Sequence, residues 1–78
     1  MSKYLKEKEI FEKIKKEEIL ETKQKMDHML NMAEIRRNSD YSLRAMAEIC
    51  ECSHQHINNC ENGDTFDGLV YGLYSELF

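Results

Sequence analysis

Between Ser42 and Gly63 the chain reads S-L-R-A-M-A-E-I-C-E-C-S-H-Q-H-I-N-N-C-E-N-G, and its apolar pattern changes phase partway through. Leu43, Met46, Ala47, Ile49 and Cys50 follow one helical stripe, Cys52 falls in a turn, and Ile57 and Cys60 begin a second stripe. Ser42 and Ser53 are natural N-caps, and Gly63 is a natural C-terminal stop. A helix, a tight turn and a second helix this close together cannot bury their apolar faces alone, so the flanks must supply further helices.

The flanks read as helix too. Proline is absent and only three glycines occur in 78 residues, which together with abundant Lys, Glu, Leu, Ile and Met argues for an all-α chain. From Ser2 to Asn38 no Gly or Pro interrupts, and Ile10, Phe11, Ile14, Ile19, Leu20, Met26, Met29, Leu30 and Ala33 keep a three-and-four spacing. An unbroken helix there would be about 50 Å long. A cap at Thr22 would start a second helix and break the run, so the sequence leaves one long helix and two as alternatives. Past the polar break at Asn62-Gly63-Asp64, Phe66, Leu69, Val70, Leu73, Tyr74 and Leu77 form a stripe that closes the core. Gly68 and Gly72 weaken that helix but leave a smooth face for a close approach.

The motif from Ser42 to Gly63 resembles the helix-turn-helix of the Cro and lambda-repressor-like (XRE) family of DNA-binding domains. The family's pattern runs S-L-x-x-L-A-x-x-x-G-V-S-x-x-x-I-x-x-x-E-x-G. The chain follows it without a gap through Ser42, Leu43, Met46, Ala47, Cys52, Ser53, Ile57, Glu61 and Gly63, and Ile35-Arg36 falls where the family has Leu-Arg in its first helix. The departure is Glu51 in place of the turn glycine. A non-glycine residue at positive φ costs ~1 kcal/mol, so the turn is either strained or of another shape.

The resemblance implies a compact four-helix helix-turn-helix domain over residues 26–78, preceded by a charged helical extension over residues 1–25. Ser53, His54, Gln55, Asn58 and Asn59 are then the base-facing side chains, since Gln and Asn bond adenine in pairs and His donates to guanine or phosphate. Arg44, Arg36, Arg37 and the N-terminal lysines are the candidate phosphate contacts. In that family an Arg of the first helix pairs with a Glu ending the recognition helix, which here are Arg36 and Glu61.

Charge pulls the other way. Residues 1–37 hold eight Lys and two Arg against eight acids, or +2, whereas residues 38–78 hold Arg44 against seven acids, or −6. DNA binding depends on cations, so two functions stand: a DNA-binding transcriptional regulator acting as a homodimer, and an adaptor or inhibitor whose acidic face meets a protein partner. For the extension, packing back on the domain, a two-stranded dimer seam and ordering by a partner all fit the narrow apolar strip. If it is accessory, its removal leaves a folded core. The apolar ends of the chain favour a dimer.

Cys50, Cys52, His54, His56 and Cys60 are zinc-binding residue types, but on a helix starting at Ser53 the two histidines point about 200° apart and only His56 and Cys60 share a face. The cysteines fall at positions of small buried residues and act there as hydrophobes. No metal or cofactor is therefore expected. A chain this short has no room to converge a nucleophile, base and oxyanion donors, so it is not expected to be an enzyme. With no apolar run of membrane-spanning length and no apolar signal core, no membrane association and a cytoplasmic location are expected.

Overall fold

A computed structural model describes residues 3–78 as five helices joined by short turns: α1 (Leu5–Ile14), α2 (Lys23–Arg37), α3 (Leu43–Cys50), α4 (His54–Glu61) and α5 (Gly68–Leu77). The all-α expectation holds over these residues. Each of the last four helices starts on a side-chain cap: Thr22 Oγ1 accepts from Lys25 N at 3.1 Å, Ser42 from Ala45 N at 3.0 Å, Ser53 from His56 N at 3.1 Å and Asp67 from Leu69 N at 2.9 Å. These bonds satisfy backbone donors that a helix cannot pair internally.

The helices meet in a core centred on Met32, Met46, Ile49, Ile57, Val70, Leu73 and Tyr74. α3 packs on α4, α2 lies across α4 and α5, and α1 packs against α5 and α3. Phe11 and Ile14 of α1 belong to the same buried cluster as the residues of α3, α4 and α5. Of the three arrangements open to the N-terminal run, the structure has the one that packs back on the domain.

The run is two helices, not one 50 Å rod, and the boundary expected at residue 25 falls inside α2. The break has a packing cause. Positions 15–18 are Lys-Lys-Glu-Glu, so the apolar stripe stops there, and the chain folds back to set Ile19 beside Ile14 on α5. The smooth face made by Gly68 and Gly72 is spent on this contact: a Cβ on Gly68 would lie 2.5 Å from the Ile19 carbonyl oxygen, and one on Gly72 2.7 Å from Ile14 Cγ2. Leu20, by contrast, is 64 % exposed and takes no part in the core.

Candidate nucleic-acid interface

The turn between α3 and α4 consists of Glu51, Cys52 and Ser53. Glu51 takes the left-handed conformation, at φ 56° and ψ 42°. The strained alternative is thus the one adopted, and the Cys52 N–H closes α3 by donating to the Ala47 carbonyl at 3.0 Å. The Glu51 carboxylate is 3.7 Å from Lys15 Nζ at the end of α1.

Beyond this turn, α4 buries Ile57 and Cys60 and turns the opposite side outward. Ser53, His54 and Gln55 are exposed, and Asn58 and Asn59 are half-buried. Gln55 Nε2 donates to Asn59 Oδ1 at 3.1 Å, joining two amides one turn apart. The Ser53 hydroxyl serves as the helix cap, which leaves it at the mouth of α4 with its acceptor partly engaged. The one acid of α4, Glu61, is buried, so the outward face is polar and free of negative charge.

His56 faces the other way. Its Nε2 lies 2.7 Å from Asp67 Oδ2 and 3.9 Å from Cys60 Sγ, joining α4 to the cap of α5. Among the described residues no group of three or more His, Cys, Asp or Glu side chains is placed to hold a metal ion. Burial pushes the Cys60 thiol up to about 11 and the Cys50 thiol higher still. Both are protonated at neutral pH, and a protonated thiol is a poor nucleophile.

Arg36 and Glu61 meet as the resemblance implied. Arg36 Nε and Nη2 donate to the two carboxylate oxygens at 2.8 and 2.9 Å, and the Glu61 side chain is 1 % exposed. A third donor, the Tyr74 hydroxyl of α5, also reaches Glu61. The tie raises the Arg36 guanidinium further above its ordinary value, chiefly through the bond to Glu61, and burial pushes the Tyr74 hydroxyl up.

This geometry corrects one assignment. Arg36 is buried, its fork is filled by Glu61, and its Nη1 donates to the Tyr41 carbonyl at 3.3 Å, so it cannot reach a phosphate. Its neighbour Ile35, which stands where the family has the Leu of its Leu-Arg pair, is 50 % exposed. Arg37 keeps a half-exposed side chain with Nη2 at 3.6 Å from Glu61. Arg44 is exposed on α3. Of the N-terminal lysines expected as phosphate contacts, two lie beside α3 and the turn that follows it. Lys8 and Lys15 are seven residues apart and share a face of the helix, and they lie 3.9 Å from Glu48 on α3 and 3.7 Å from Glu51 in the turn. Part of the −6 balance of the second half is offset there.

Over residues 3–78 the fold and this surface define a small all-α arrangement of five helices whose α4 presents an acid-free polar face beside a mixed-charge rim. No protein-family model matches the chain, and neither a curated protein nor a solved structure matches it. Among the described residues no helix is long and apolar enough to cross a membrane.

Proposed function

We propose that this protein is a sequence-specific DNA-binding transcriptional regulator that acts as a dimer, with α3, the turn and α4 serving as a Cro-like helix-turn-helix and residues 26–78 as its DNA-binding domain. The observation that carries the reading is the outward face of α4. Ser53, His54, Gln55, Asn58 and Asn59 offer hydrogen-bonding groups with no acid among them, on a helix anchored from behind by Arg36 and Glu61. A rigid helix with such a face suits the donor and acceptor edges of the major groove. Arg44, Arg37 and the α1 lysines serve the phosphates. The exposed Leu5, Leu20, Leu30 and Ile35 are the apolar surface left for a second copy.

A second reading, a protein-binding adaptor, is favoured by the exposed acids Asp64 and Glu76, which have no cation partner among the described residues. Salt separates the two. With two to four phosphate contacts per chain, and so four to eight per dimer, log affinity for a random duplex should fall against log salt with a slope of about −4 to −7. Fluorescence anisotropy of a labelled duplex measures this, and absence of binding at low salt removes the DNA reading. Sedimentation alongside tests the dimer, which a single-chain mass at all concentrations up to about 100 μM would exclude.

A further inference from the structure

A cleft of about 270 Å³ opens between the N-terminal end of α1 and the turn that joins α2 to α3, lined by Lys3, Tyr4, Glu7, Asp40 and Tyr41. Its walls are two phenol rings, with centroids 6.1 Å apart and planes tilted by 37°. The Tyr41 ring is held by its hydroxyl, which donates to Glu7 Oε2, and by an edge contact with Phe78 at a centroid distance of 5.8 Å, while the residue's backbone carbonyl accepts from Arg36 Nη1. The bond to Glu7, with burial, pushes the Tyr41 hydroxyl up to about 12, so at neutral pH it keeps its proton and stays a donor.

Two carboxylates and two aromatic faces repel an anion and attract a cation. Lys3 Nζ lies over the ring of its sequence neighbour Tyr4, 5.7 Å from its centroid, at the edge of the cleft. A volume this size admits a short chain and no more. Asp40, and the Glu7 oxygen that Tyr41 does not use, are hydrogen-bond acceptors. They favour an ammonium that carries N–H donors over a quaternary one.

From this geometry we infer that the cleft is a binding site for a primary alkylammonium ion, with Glu7 and Asp40 taking the charge, Tyr4 and Tyr41 flanking the chain, and Lys3 as a tethered competitor. The inference is independent of what α4 binds. No DNA phosphate fits the cleft, so its ligand is separate from the proposed duplex.

The test is a titration of the full-length protein with n-butylammonium chloride, followed by NMR of the Tyr4 and Tyr41 rings. A ligand this small should half-saturate the site at about 1–10 mM. Tetramethylammonium should bind more weakly, and n-butanol should give no saturable shift. The double variant Glu7→Gln, Asp40→Asn, checked for fold by circular dichroism, should bind about tenfold more weakly or worse. Lys3→Met changes an exposed side chain and removes the competing cation, so it should tighten binding by about two- to fivefold. Shifts that stay linear through about 100 mM, a response to butanol equal to that of the amine, tighter binding of tetramethylammonium, or unchanged or weaker binding in Lys3→Met would each overturn the assignment.

Discussion

At Glu61 a single carboxylate joins three helices. It accepts from Arg36 on α2 and from Tyr74 on α5, while its own backbone ends α4. With the side chain 1 % exposed, loss of the carboxylate strands a buried guanidinium, which costs roughly 3–5 kcal/mol. Glu61→Ala should therefore destabilise by that order in urea denaturation, whereas Glu76→Ala, at an exposed position of α5, should stay within about 0.5 kcal/mol. Tyr74→Phe removes one neutral donor and should cost about 1–2 kcal/mol. Equal midpoints for the two Glu variants would mean that the pair does not hold the helices together. The Arg36–Glu61 partnership was legible because Glu61 lies in the gapless motif and Arg36 falls upstream at the spacing of the family's first-helix Arg. Tyr74 was not legible as the third donor, because in the stripe of α5 it counts as one more large apolar side chain. Its hydroxyl acquires a role only when the fold brings Tyr74 to Glu61 at the end of α4.

The glycines of α5 show what one-dimensional pattern leaves out at the scale of elements. Their spacing announced a close approach but could not say by what. The answer is the corner between α1 and α2, whose Ile14 and Ile19 lie far from α5 in sequence. The same contact explains why a run with no helix breaker is nevertheless two helices: the corner lets Ile19 pack, partly buried, against Gly68 and Gly72. Local propensity favours Ala over Gly inside a helix by about 1 kcal/mol, so in isolation Gly72→Ala should stabilise. Here the added Cβ would sit 2.7 Å from Ile14 Cγ2 and 2.9 Å from Ile19 Cδ1, and overpacking of that kind costs roughly 1–3 kcal/mol. The net effect should be a lower melting temperature, and a higher one would show that α1 and its corner are not seated on α5. By the same packing, removal of residues 1–22 takes Phe11 and Ile14 out of the core, so the truncated chain loses part of its own interior.

Across the whole molecule, the groups whose protons the fold holds most tightly are weak acids that should be neutral. Burial raises Cys60 from 9.0 to about 11 and raises Cys50 further, the bond to Glu7 raises Tyr41 from 10.0 to about 12, and burial with the bond to Glu61 raises Tyr74. For such groups the folded state binds protons more tightly than the unfolded chain. Their contribution is complete below the unfolded values, near pH 9, and is lost as pH rises through the folded ones. Stability should therefore be level from about pH 7 to 8.5 and fall steadily between about pH 9 and 12. Surface lysines also lose charge in the upper part of this range, and Tyr41→Phe separates the two causes. Phenylalanine keeps the ring contacts with Tyr4 and Phe78 but has no proton to lose, so above pH 10 its urea midpoint should fall less steeply than that of the parent chain. A parent midpoint that is flat or rising through pH 11, or parallel slopes for parent and Tyr41→Phe, would mean that these buried thiols and hydroxyls titrate as if exposed, and that the packing of α1 against the turn before α3 is looser than its hydrogen bonds imply.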